Sequence, residues 1–217
     1  MNTIFRTAAA LAILSPGLAL ASVLTISPGA QEIEGVKVSE SAKLKMTERN
    51  YALKVVGAGL RYKKVALFKA KVYVGELMMD APEKFQKTKE GALGSLAAQK
   101  AVAVRMTFLR DVDGEKISSS FKDALKENSI SLDSAHVKAF LDAVKTGGEV
   151  KEKTTLVVLG EKLPSGKEAV SFENSEGKLS TVVGEPGLIR EVFSIWLGKI
   201  DDSGLEHLRD GFLGVKD

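Results

Sequence analysis

Cysteine is absent from the chain. That excludes disulfides, thiolate nucleophiles and a lipid-modified cysteine anchor. Histidine is almost absent. His136 and His207 stand far apart in the sequence, each in a predicted helix, and a zinc site needs three or four ligands, so no metal and no cofactor are expected. The Gly-x-Ser-x-Gly elbow of serine hydrolases is missing. Aromatic residues are only 6% of the chain, with one tryptophan, and the formal net charge is only +3. No Lys/Arg block interleaved with aromatics occurs, so nucleic acid is not an expected partner. What remains is a 217-residue chain with 44% hydrophobic residues, enough for one globular domain and at most two.

The first residues read as a leader rather than as part of the fold. Arg6 lies in a short basic region, residues 7–14 form an apolar core of Ala, Leu and Ile, and Ala19-Leu20-Ala21 is a small-x-small site. Residues 1–21 are therefore expected to be a signal peptide, cleaved before Ser22. The apolar run is short and interrupted by Pro16 and Gly17, so no stable membrane insertion is expected after cleavage. The mature protein is expected to be exported, and periplasmic in a Gram-negative bacterium. Residues 22–31 contain Ser, Pro and Gly and read as a linker, leaving residues 32–217 as the domain.

Along the domain, strand-like alternation appears at Ile33, Val36 and Val38, then at Tyr51, Leu53 and Val55 running into a turn at Gly57-Ala58-Gly59. Residues 60–79 read as two strands. Ala81-Pro82 signals a helix start. Residues 101–109 alternate again. Residues 113–127 read as a helix with Asp113 as N-cap and Ile117, Phe121, Ala124 and Leu125 on one face. Residues 131–145 read as a second helix, capped by Ser131 or Asp133 and ended by Gly147-Gly148. Three strands follow at residues 154–159, 168–172 and 178–183, separated by Pro164-Ser165-Gly166 and Asn174-Ser175-Glu176-Gly177. Helices at residues 186–197 and 203–213 close the chain. Strands, helices, strands, helices is not a βαβ alternation. It predicts an α+β fold, a large mainly antiparallel sheet covered on one face by helices, with a cleft between the layers.

Short motifs carry little. Gly57-x-Gly59 lacks the third glycine of a dinucleotide loop and precedes a strand. Ser119-Ser120-Phe121-Lys122 and Lys145-Thr146-Gly147 match two elements of penicillin-recognising enzymes, but the middle Ser-x-Asn element is missing between them. Arg61 and Tyr73 are more informative. If the two strands form a hairpin centred on Leu67, these residues face each other on one side of the sheet. A guanidinium fork beside a phenol O–H suits a carboxylate.

The segment Gly57-Ala58-Gly59-Leu60-Arg61, followed by Lys71-Val72-Tyr73-Val74, resembles the chalcone isomerase-like family. So do Asp113-Gly114-Glu115-Lys116-Ile117 and Val192-Phe193-Ser194-Ile195-Trp196-Leu197-Gly198. The resemblance implies an open-faced β-sandwich with a ligand cleft. Of the five polar positions of the cyclising plant enzymes, Arg61 alone matches. Tyr73 stands where a threonine holds a water, Asp113 and Ser120 where a tyrosine and an asparagine contact substrate, and Ile189 where a serine or threonine is found. The pattern is closer to the non-catalytic branch that binds fatty acids. There an arginine and a tyrosine grip the carboxylate, and an apolar channel takes the tail. The resemblance thus implies no catalytic residue, Arg61 and Tyr73 as ligand-binding residues, and Phe108, Phe121 and Trp196 as lining. The expected partner is a fatty acid or similar amphipathic carboxylate. An isomerase with a rebuilt pocket and a structural domain with a filled cleft are the alternatives. Glu76 and Met78 depart from the family, where glycine and an aromatic are frequent; a carboxylate at 76 would oppose an anionic ligand if it faced the pocket.

Overall fold

Alternation of apolar and polar residues builds one eight-stranded antiparallel sheet whose strands lie in sequence order. The structure, a computed structural model, describes residues 22–46, 49–65 and 68–215; the leader expected at residues 1–21 lies outside them. The strands are β1 (Leu24–Ile33), β2 (Val36–Lys45), β3 (Asn50–Val65), β4 (Phe68–Met79), β5 (Ala101–Phe108), β6 (Thr155–Lys162), β7 (Glu168–Glu173) and β8 (Leu179–Gly184). The helices are the one-turn α1 (Ala92–Ser95), then α2 (Gly114–Glu127), α3 (Ala135–Thr146), α4 (Leu188–Leu197) and α5 (Ser203–Leu213). This is the α+β architecture that the order of periodicities predicts, and it has the helices on one face.

Four local expectations change. Helix α3 starts at Ala135 with Ser134 at its N-cap position, rather than being capped by Ser131 or Asp133. Residues 22–31 are not a linker: Leu24–Ile33 is β1, joined to β2 through a turn at Glu34-Gly35. Sheet pairing supplies the hydrogen bonds that a Ser/Pro/Gly composition alone does not foretell. The helix expected after Pro82 is a single 3₁₀ turn, Pro82–Lys84. And Gly57-Ala58-Gly59 makes no turn, since β3 runs straight through it.

Those glycines serve close approach instead. Helix α5 lies on β3, backbone against backbone. A Cβ on Gly57 would sit 2.6 Å from the Gly211 carbonyl oxygen, one on Gly59 2.8 Å from that of Leu208, and one on Gly211 2.5 Å from that of Ala58. None of these neighbours is a side chain that can swing away. Gly57→Val is therefore expected to destabilise by about 1–3 kcal/mol, although valine is the better strand former. Urea denaturation checks it, and an unchanged midpoint would contradict the close-packed seam.

The helix face buries the main core. Leu77, Val104, Met106, Val158 and Phe172 of the sheet pack under Phe121, Phe140, Val192, Phe193 and Trp196. The far face is covered too. The β1–β2 hairpin curls across it, so Leu24, Ala42 and Leu44 join Met78, Ala103, Val157 and Leu159 in a second, smaller core. Polar contacts hold this cover. The Val23 N–H donates to Glu173 on β7 at 2.6 Å, and the Ser39 N–H to Glu76 on β4 at 2.5 Å. Arg49 clasps the buried Glu161 at 2.6 and 3.0 Å.

Candidate functional site

Arg61 and Tyr73 are cross-strand partners, as a hairpin centred on Leu67 predicts. The reason is less simple than the symmetry. Near the tip the register is one residue short, with Tyr62 opposite Lys71 and Val65 opposite Phe68. The extra residue Val72 forms a bulge, and beyond it the predicted pairing is recovered. Strand alternation then puts Tyr73, Gly75, Leu77 and Met79 towards the helices, and Val74, Glu76 and Met78 towards the far face. Glu76 is therefore no threat to an anionic ligand in the cleft. It is fully buried behind the sheet, in an ion pair with Arg105 at 2.6 Å.

Between sheet and helices lies a cavity of about 530 Å³. Val72, Phe108, Ile117, Phe121, Ile195 and Leu205 give it apolar walls, while Arg61 and Tyr73 sit among them at its buried side. Lys63, Arg110 and Lys116, all exposed, form its rim with Ser120 and Asp123. Phe108 and Phe121 line this space. Trp196 does not: it is fully buried behind the wall, edge-on to Phe121 at 5.3 Å between ring centroids. Its indole N–H donates to the Tyr73 hydroxyl at 3.2 Å. That bond occupies a lone pair of the phenol, and no acceptor for the Tyr73 O–H is found among the described residues, so this proton is available to a ligand. Burial raises the phenol's pKa, and the Arg61 charge and the Trp196 hydrogen bond offset only part of that rise. Tyr73 is thus a donor at any ordinary pH.

Arg61 holds a partner that the sequence reading misses. Its guanidinium grips Asp202, with Nη1 at 3.0 Å from Oδ1 and Nη2 at 3.1 Å from Oδ2, and also donates to the Tyr62 carbonyl. Asp202 is the N-cap of α5, where Oδ1 accepts the Gly204 and Leu205 N–H groups at 2.9 and 3.0 Å. Burial works to raise the pKa of this carboxyl, but the Arg61 hydrogen bond and the cap amides outweigh it and hold the group below its ordinary value. The loop that delivers Asp202 is itself anchored. The Asn128 side chain at the end of α2 donates to the Ser194 and Lys199 carbonyls and accepts the Lys199 N–H at 2.8 Å. Arg209 donates to the Gly198 carbonyl at 2.9 Å. The cap of α5 is a legible sequence signal, an aspartate just before Ser203-Gly204, but its contact with Arg61 spans 141 residues.

A family model described as chalcone isomerase-like matches residues 30–214. The chain belongs to the chalcone isomerase-like family. Among solved structures, a fatty-acid binding protein of Arabidopsis thaliana resembles it, with a TM-score of 0.52 at 16% identity, over 80% of this chain and 98% of that one. At that identity the likeness shows the fold. No curated protein matches the sequence. Of the positions aligned with the polar residues of the family's cyclising enzymes, Arg61, Tyr73 and Ser120 line the cavity. Asp113 instead caps α2 through the Glu115 N–H at 2.7 Å. Ile189 is buried under Gly160, away from the cavity. The histidines are elsewhere as well: His136 meets Glu191 at 3.1 Å, and His207 packs on the Tyr62 ring. Lys145 of the Lys-Thr-Gly match is engaged with Glu115 at 2.9 Å.

Proposed function

We propose that this chalcone isomerase-like protein is exported and binds a fatty acid or similar amphipathic carboxylate, without catalysing a reaction on it. One observation carries the reading. A cavity with apolar walls and a charged rim has two donors, the Arg61 guanidinium and the unspent Tyr73 O–H, together at its buried side. Walls of Phe, Val, Ile and Leu take a tail, and a head group accepting from both donors is fixed in place. The Arabidopsis protein of similar fold is a fatty-acid binding protein, which supports the same ligand class. The family's cyclisation chemistry has less support, because Ile189 and Asp113 offer no polar group to the cavity.

The test is calorimetric titration with saturated fatty acids of graded length, alongside circular dichroism. Wild type is expected to bind. Arg61→Ala should lose about 2–5 kcal/mol of binding free energy, since the head group loses its cation in a partly dry cleft. Tyr73→Phe should lose about 1.5–3 kcal/mol, the worth of one donor to a charged acceptor. Equal affinity of wild type and Arg61→Ala, with both proteins folded, would remove the reading.

A further inference from the structure

The Arg61 fork already has a resident anion. A guanidinium carries five N–H donors. Nη2 donates to Asp202 Oδ2, and Nη1 donates to the Tyr62 carbonyl while lying 3.0 Å from Asp202 Oδ1 as an ion-pair contact. That leaves Nε–H and one Nη2–H, which share one edge, and no partner for them is found among the described residues. Tyr73, whose oxygen accepts from Trp196 and whose O–H has no acceptor among the described residues, lines the same cavity. The site is therefore rich in donors yet close to charge-neutral.

We propose that Asp202 makes the site selective for an uncharged oxygen head group: an alcohol, an ester or amide carbonyl, or the carboxylic acid in its protonated form. The proposal rests on the binding function above and specifies the state of the ligand. A carboxylate on the free edge of Arg61 would place two negative groups around one positive charge in a partly dry cleft. Like charges so placed raise one another's affinity for a proton. A fatty acid thus enters with one proton taken from solution, held on the ligand or on Asp202 as a coupled pair. The other charged or titratable groups facing Asp202 do not relieve this. They are Tyr73 on β4, which stays neutral, and the further carboxylates that line the cavity, Asp123 and Glu127 on α2 and Asp111 before it. The backbone N–H of Asp201, the neighbour in the loop, donates to Glu127 Oε2 at 3.3 Å. The rim cations Lys63, Arg110 and Lys116 lie at the exposed end of the cavity.

Asp202→Asn tests it, because asparagine keeps the shape and the N-cap of α5 while removing the charge. Dodecanoate and dodecan-1-ol are titrated into both proteins at neutral pH, in two buffers of different ionisation enthalpy so that protons exchanged are counted. Wild type is expected to bind dodecan-1-ol with no proton exchanged and dodecanoate with uptake of about one proton. In Asp202→Asn the uptake should vanish, and the ratio of dodecanoate to dodecan-1-ol affinity should rise on the order of tenfold or more. Binding of dodecanoate by Asp202→Asn alone supports the proposal equally. If wild type binds dodecanoate with no proton uptake and the affinity ratio is unchanged in the variant, Asp202 has no such role, while the binding function stands. If neither protein binds either probe, the binding function falls and this proposal with it.

Discussion

Arg105→Ala is expected to lower the free energy of unfolding by about 3–5 kcal/mol, the usual cost of breaking a buried ion pair from one side. Glu76 has no exposed surface. Its two oxygens are held by the Arg105 guanidinium at 2.6 Å and the Ser39 N–H at 2.5 Å. Without the arginine a carboxylate is left in the far-face core beside Met78 and Ala103. Its Ser39 contact also tethers the β1–β2 cover, so the loss extends to that hairpin. Replacing both partners, as in Glu76→Leu with Arg105→Met, should recover most of the stability, since an apolar pair has no charge to desolvate. Urea denaturation of wild type, single and double variants measures both steps. A single variant within 1 kcal/mol of wild type, roughly the worth of an exposed pair, would contradict the buried-charge account.

The second large effect is expected at Trp196. Trp196→Ala should cost about 3–5 kcal/mol, because the indole is fully enclosed between Phe121 and Phe193 and its removal leaves a cavity. Trp196→Phe separates packing from positioning. Much of the ring volume is retained, but the hydrogen bond to Tyr73 is lost. The phenol is then free to rotate its O–H away from the cavity. Stability should fall less than in the alanine variant, while dodecanoate affinity should fall by an amount like that of Tyr73→Phe. Calorimetry against thermal denaturation checks it. If Trp196→Phe binds dodecanoate as wild type does, the indole N–H has no positioning role.

Both variants concern residues that play parts different from their reading in the sequence. Trp196 reads as a lining residue on the strength of the family resemblance. The structure turns it inward and leaves its one polar atom for Tyr73. Glu76 reads as a departure within the pocket strand. Period-two alternation sends it to the opposite face, where β1 and β2 supply a cover. The cover itself is hard to see in advance. Leu24–Ile33 contains Ser27-Pro28-Gly29, a turn-like composition, and only contact with strands far along the chain gives it an ordered place.

What the sequence by itself determines is local. Period-two alternation marks β3 to β8, the N-cap at Asp113 starts α2, and Gly147 ends α3, because strand and helix patterns depend on neighbours within a few residues. The Arg61–Tyr73 pairing belongs to this class, as a hairpin is a local structure. Tertiary structure decides what those two side chains meet. Asp202 reaches Arg61, and Trp196 reaches Tyr73, across more than a hundred residues. The glycines at 57 and 59 read as turn residues, and Gly211 as one more residue of a helix, until α5 is seen resting on β3. Sequence spacing has no term for such contacts. They depend on where the packing of two apolar faces brings α4 and α5 down on the sheet, and that is settled only when the whole core closes.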